Sequence, residues 1–166
     1  MKIISNCLSE QLLINLEKEI ISKHHDNCWR PSLPTWDKIL LKGIHGECLS
    51  AFVNQENKKQ IETELTNVLP FFNELNIQIY LWQPFSGIAP HTDANKKFGA
   101  TIYLTDTEIS NGGLFAWLSQ EKKDIFNLIV PKRNLMVIND MQEPHFVTPI
   151  TPTKINTRYT IQIWGI

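Results

Sequence analysis

The chain has 166 residues, 42% of them hydrophobic and 20% charged, and 16 Lys and Arg against 17 Asp and Glu leave a formal net charge of −1. That length suits one compact domain of about 100 to 200 residues, and the balanced charge offers no field for phosphate backbones or anionic lipids, which argues against nucleic-acid and membrane partners. No apolar run reaches the ~20 residues of a membrane helix, and Ser5, Asn6, Ser9 and Glu10 interrupt the N-terminus too soon for a signal peptide, so a cytoplasmic location is expected.

In chain order, Leu12, Leu13, Leu16 and Ile20 recur at helical spacing and predict a helix over 9–23, with Ser9 as its N-cap. His24-His25-Asp26 closes that helix, where imidazoles beside unpaired carbonyls suit the negative end of the helix dipole. The segment that follows is irregular and rich in Trp and Pro, with one strand predicted over Lys38 to Leu41. Trp29, Arg30 and Trp36 in it are either cover for a sheet edge or part of a substrate-facing lid. Cys7, Cys28 and Cys48 are odd in number and never spaced as CxxC, so buried, reduced thiols are expected rather than disulfides or a thiolate metal site.

A second helix is predicted over 57–69, where Ile61, Leu65, Val68 and Leu69, with Phe72 beyond, keep a helical period and Pro70 helps to end it. From residue 77 the period shortens to that of strands: "IQIYLW", "FGATIYL", "GLFAWL", "FNLIV", "LMVIN" and "RYTIQIW" are separated by turn residues such as Asn111-Gly112-Gly113 and the stretch from Pro149 to Asn156. Many short strands at even spacing point to a sandwich or barrel.

The chemistry concentrates in His91-Thr92-Asp93 and His145. Residues i and i+2 of an extended chain point the same way, so His91 and Asp93 can share a metal, and two imidazoles with one carboxylate are the donor set of a non-heme Fe(II) site with open positions. HxD alone is weak, because His24-His25-Asp26 repeats it; that copy belongs to a helix end. In the last strand Arg158, Thr160, Gln162 and Trp164 share one face, opposite Tyr159, Ile161 and Ile163. If the apolar face packs outward, Arg158 points into the barrel, where its planar fork requires an anion such as a ligand carboxylate.

Six ordered blocks, "IQIY", "PHTDAN", "ATIYLTD", "NGGLFAWL", "IVPKRNLMVINDMQEPHFVTP" and "RYTIQIW", closely resemble the Fe(II)- and 2-oxoglutarate-dependent dioxygenases, most of all their prolyl hydroxylase-like branch. The resemblance implies a mainly β fold with flanking helices, a double-stranded β-helix (jelly-roll, cupin-like) core over 77–166 and helical support over 1–76, together one domain. It implies Fe(II) held by His91, Asp93 and His145, the distal carboxylate of 2-oxoglutarate on Arg158, and Tyr80, Tyr103 and Thr160 lining the cosubstrate pocket. O2 is the second cosubstrate and ascorbate an accessory reductant.

The implied reaction is hydroxylation of an unactivated C–H bond with release of succinate and CO2. The implied substrate is a prolyl or other residue of a peptide or protein; a free amino acid or small metabolite is the alternative, and an inactive binding module of the same fold a third reading. Asp93 stands where related halogenases carry a small residue, and Trp164 where the nucleic-acid demethylase branch carries an Arg, so both those activities are disfavoured.

Overall fold

The computed structural model describes residues 1–31, 36, 38–93, 96–119, 124–140, 143–152 and 157–166. Among these the strands are β1 (Lys2–Ser5), β2 (Arg30–Pro31), β3 (Ile44–His45), β4 (Cys48–Phe52), β5 (Leu75–Trp82), β6 (Gly87–His91), β7 (Phe98–Tyr103), β8 (Phe115–Leu118), β9 (Phe126–Ile129), β10 (Leu135–Asn139), β11 (His145–Val147) and β12 (Arg158–Gly165). The helices are α1 (Glu10–His25), α2 (Lys38–Gly43) and α3 (Gln55–Leu65).

The strands form two antiparallel sheets that face each other as a double-stranded β-helix. The larger runs β1-β10-β7-β12-β5-β4-β2 and the smaller β3-β6-β11-β8-β9. In the larger sheet β12 sits between β5 and β7, with Ile161 opposite both Ile79 and Ile102. These isoleucines face away from the smaller sheet and need cover.

α1 and α3 provide it: Leu12, Leu13 and Leu16 and then Ile61 and Leu65 are fully or almost fully buried in one cluster with Ile77, Ile79, Ala100, Ile102, Met136, Ile138, Ile161 and Ile163. Burial of each such side chain contributes ~1.5–3 kcal/mol. The helix starts are fixed by caps, since Ser9 accepts from the Leu12 amide at 3.3 Å and Asn54 from the Asn57 amide at 2.8 Å.

The second cluster lies between the sheets and includes Trp36, Leu40, Tyr80, Trp82, Ile88, Tyr103, Phe115, Val137 and Val147. The first 76 residues contribute to the sheets as well as covering them, because β1, β2 and β4 extend the larger sheet and β3 edges the smaller.

Three expectations are corrected. Lys38–Gly43 is the helix α2, not a strand: a short apolar run carries no period that separates the two, and here Leu40 turns into the inter-sheet cluster. The second helix ends at Leu65 rather than Leu69; Val68 and Leu69 still donate to the Leu65 carbonyl in a closing turn. Cys28 is exposed, just past the end of α1, while Cys48 is buried and Cys7 half-buried; all three are free thiols. Residues 153–156 of the turn before β12 lie outside the described residues.

Candidate metal centre and its pocket

β6 and β11 are neighbours, and their register places His91 directly opposite His145, with ring centroids 4.2 Å apart. From His145↔His91 to Val147↔Ile88 the register advances two residues on β11 and three on β6, so β6 carries a bulge. Pro90, which has no amide to give to the ladder, accounts for its place, and bulges of this kind re-aim side chains beside functional sites.

Asp93 follows two residues beyond the strand and is 5% exposed. Its Oδ1 lies 3.9 Å from His91 Nε2 and its Oδ2 lies 3.7 Å from His145 Nε2. One donor atom from each residue falls within 4.8 Å of the others, the one such cluster among the described residues.

The donors are oriented from behind. His91 Nδ1 lies 2.8 Å from the Ala89 carbonyl and His145 Nδ1 lies 2.9 Å from the Glu143 carbonyl, so each Nδ1 carries the proton and each Nε2 keeps its lone pair toward the cluster. Burial pushes the His145 pKa down, which keeps the ring neutral as a ligand must be. Phe115 stacks on His145 at 5.3 Å and 26°.

Asn139, at the end of β10, ties the parts together. Its amide nitrogen lies 3.1 Å from the Glu143 carbonyl and 3.4 Å from Asp93 Oδ2, and its oxygen accepts from the Glu143 amide at 2.9 Å. Gly99 lies opposite Asn139 on β7, and a Cβ there would stand 2.6 Å from Asp93 Oδ2 and 2.9 Å from the Trp164 ring. The carboxylate can sit against β7 because this residue has no side chain.

The same pocket extends under β12. Arg158, Thr160, Gln162 and Trp164 all line it, together with Tyr80, Trp82, Thr101 and Tyr103 from the flanking strands. Thr160 is opposite Tyr80 on one side and Tyr103 on the other, so three hydroxyl-bearing residues are adjacent across the sheet and line the pocket. The Thr160 hydroxyl accepts from Trp82 Nε1 at 3.1 Å, and the Tyr80 hydroxyl from Trp36 Nε1 at 2.7 Å.

Arg158 is 4% exposed, with its guanidinium 5.1 Å over the Trp82 ring and 5.8 Å from the Tyr103 ring. It donates from Nη1 to the Gly113 carbonyl, whereas its Nε and the Tyr103 hydroxyl are buried without a hydrogen-bond partner. No carboxylate among the described residues makes an ion pair with it. Burial pushes the Tyr103 pKa up to about 12, so its hydroxyl is a proton donor at neutral pH. A buried cation and a buried hydroxyl donor with no protein anion form a receptor for a ligand carboxylate.

Seven residues singled out from the sequence, His91, Asp93, His145, Arg158, Tyr80, Tyr103 and Thr160, therefore share one pocket, and Trp36 joins them. Trp29 and Arg30 do not. Trp29 packs with His24 and Tyr159 on the helix-covered face of the larger sheet, and Arg30 is exposed on the edge strand β2, donating to the Asn27 and Trp29 carbonyls. His24 closes α1 with its Nε2 2.7 Å from the Tyr159 hydroxyl, on the opposite face of β12 from the pocket. Sequence reasoning missed Trp82 and Asn139, whose roles depend on partners in distant strands.

No family model matches the chain, and no curated protein sequence matches it. Among solved structures, a prolyl-4-hydroxylase from Pseudomonas putida superposes with a TM-score of 0.74 at 15% identity, over 99% of this chain and 91% of that one. This is the fold of the 2-oxoglutarate and Fe(II) oxygenases. A Trichoplax adhaerens prolyl hydroxylase, solved with a peptide fragment of the hypoxia inducible factor oxygen degradation domain, gives a TM-score of 0.73 at 16% identity over 99% of this chain and 82% of that one. A non-heme alpha-ketoglutarate (2-oxoglutarate) dependent epimerase from nogalamycin biosynthesis gives 0.63 at 11% over 98% and 76%. The same scaffold thus hosts different reactions, and the reaction must be argued from the site.

Proposed function

We propose that the protein is an Fe(II)- and 2-oxoglutarate-dependent dioxygenase that hydroxylates an unactivated C–H bond, with a prolyl or other residue of a peptide as the substrate. The observation that carries this reading is the meeting, in one pocket, of a His-Asp-His donor cluster with a buried arginine that has no carboxylate partner among the described residues. The ligand fit is chemical: two neutral imidazoles and one carboxylate suit Fe(II), and Arg158, in the same pocket, suits the free carboxylate of a diacid.

Fe(II) bound there supplies oxygen activation coupled to oxidative decarboxylation of 2-oxoglutarate to succinate and CO2. This chain's own residues do the rest. His91, Asp93 and His145 would hold the metal, and Arg158, Tyr103 and Thr160 the distal carboxylate of 2-oxoglutarate. Phe115, Val137, Val147 and Ile88 keep water from the space between. No side-chain nucleophile or proton relay is required.

The peptide assignment draws support from the likeness to prolyl hydroxylases, one of them bound to a peptide. Residues 1–166 act in this reading as one catalytic domain, and a cytoplasmic location, with ascorbate as accessory reductant, belongs to it. No helix among the described residues is long and apolar enough to cross a membrane.

A screen for succinate formation against proline-containing peptides and free amino acids tests the reading. Peptide-stimulated turnover with an oxygen atom gained by the peptide is expected. Stimulation by free amino acids alone replaces the substrate class, and failure to consume 2-oxoglutarate under any condition overturns the reading as a whole.

A further inference from the structure

The buried guanidinium of Arg158 must be held in one orientation if its fork is to meet a carboxylate, and a long flexible side chain does not hold itself. Three contacts do so: the Trp82 and Tyr103 rings flank it, and the Gly113 carbonyl accepts from Nη1. That carbonyl belongs to the turn Asn111-Gly112-Gly113, which leads into β8, far from β12 in sequence.

Its position is fixed by neighbours on both sides. The Gly113 amide donates to the Pro149 carbonyl at 3.1 Å, the Leu114 amide donates to the Thr148 hydroxyl at 2.9 Å, and the Thr151 amide donates to the Asn111 carbonyl at 2.8 Å. Gly113 has φ +63°, a left-handed conformation that L side chains rarely adopt. A Cβ on it would stand 2.7 Å from Arg158 Nη1 and 3.1 Å from Ile150 Cγ1.

We infer that Gly113 is the positioning residue for Arg158: its left-handed backbone aims a carbonyl at Nη1, and its missing side chain leaves the space the guanidinium needs to present its remaining N–H edge to the pocket. The inference rests on the cosubstrate role proposed for Arg158. The left-handed φ calls for glycine at this place in any case; what sets Gly113 apart is that the closest atom to its absent Cβ belongs to the arginine and not to backbone. At Gly112 the reverse holds, since a Cβ there would stand 2.1 Å from the Pro149 carbonyl oxygen.

The test is a double-mutant cycle, with 2-oxoglutarate titrated calorimetrically and anaerobically into Fe(II)-loaded wild type, Gly113→Ala, Arg158→Lys and the double variant. The collision with Nη1 disappears in the lysine background, because lysine has no such atom. Gly113→Ala alone is expected to weaken 2-oxoglutarate about tenfold or more, the loss of one charge-assisted hydrogen bond, with Fe(II) affinity unchanged. In the Arg158→Lys background the same change should cost less than about threefold.

Equal loss in both backgrounds, or no loss in either, overturns the inference. If Gly113→Ala alone fails to fold, recovery of folding in the double variant supports the inference, and failure of both overturns it. Wild-type protein that binds no 2-oxoglutarate refutes instead the proposed function on which the inference rests.

Discussion

Replacing Arg158 by methionine removes a buried charge and keeps a side chain of similar length against Trp82 and Tyr103. Two opposite effects follow from its 4% exposure and its lack of an acidic partner among the described residues. Without ligand the variant sheds an uncompensated buried cation and loses the Gly113 hydrogen bond; exchanges of buried ionic for packed apolar groups range from neutral to a gain of about 4 kcal/mol. With ligand it lacks the partner of a desolvated carboxylate, a loss of about 3–5 kcal/mol, or roughly two to four orders of magnitude in affinity.

At 2-oxoglutarate a hundredfold above the wild-type Kd, binding stabilises wild type by about 2.7 kcal/mol, whereas a hundredfold weaker variant gains only about 0.4 kcal/mol. At ~2–4 °C per kcal/mol for a chain of this size, a wild-type melting shift of about 5–10 °C shrinks to about 1–2 °C. Anaerobic thermal unfolding of Fe(II)-loaded protein with and without 2-oxoglutarate reads both effects. An undiminished shift in Arg158→Met, or a ligand-free variant that melts many degrees below wild type, refutes the account of this arginine.

Asn139→Ala should weaken Fe(II) binding about 10- to 100-fold, because Asn139 holds the Glu143 backbone that orients His145 and approaches Asp93; metal titration with unchanged affinity contradicts this. Thr160→Val leaves the buried Trp82 N–H without its acceptor and should destabilise the protein by about 1–3 kcal/mol in denaturant unfolding, while a neutral result removes that bond from the account. Burial raises the Cys7 thiol from 9.0 and the Tyr103 hydroxyl from 10.0, each to about 12. Both groups bind their proton more tightly when folded, so their stabilisation is complete below pH 9 and is lost as pH rises from there toward 12. Melting temperature should fall across that window, and Cys7→Ala should flatten its lower part; an identical slope in the variant counts against the Cys7 contribution.

What the sequence made legible is what alternation and local order encode. The face shared by Arg158, Thr160, Gln162 and Trp164 is set by period two within one strand, and the structure places all four on the pocket wall. The His91 and Asp93 pair needed only a strand end, and β6 supplies it. The illegible parts depend on contacts across the chain. β1 is four residues long and forms against β10, with Lys2 opposite Ile138, a pairing no local pattern announces.

Trp29 and Trp36 sit seven residues apart in one irregular segment, yet one packs on the helix side of the larger sheet and the other between the sheets. Composition could not separate them. The same limit hid Trp82, which reads as one more apolar strand residue until its ring is seen against Arg158 and its N–H on Thr160.

The central claim, that His91, Asp93 and His145 hold Fe(II) where 2-oxoglutarate reaches both metal and Arg158, is tested most directly by anaerobic absorption spectroscopy. Wild type with Fe(II) and 2-oxoglutarate should develop a visible metal-to-ligand charge-transfer band. The band should disappear in Asp93→Ala and His145→Ala and persist in His24→Ala, whose ring lies on the opposite face of the sheet. No band in wild type, or a band of full strength in both Asp93→Ala and His145→Ala, contradicts the account.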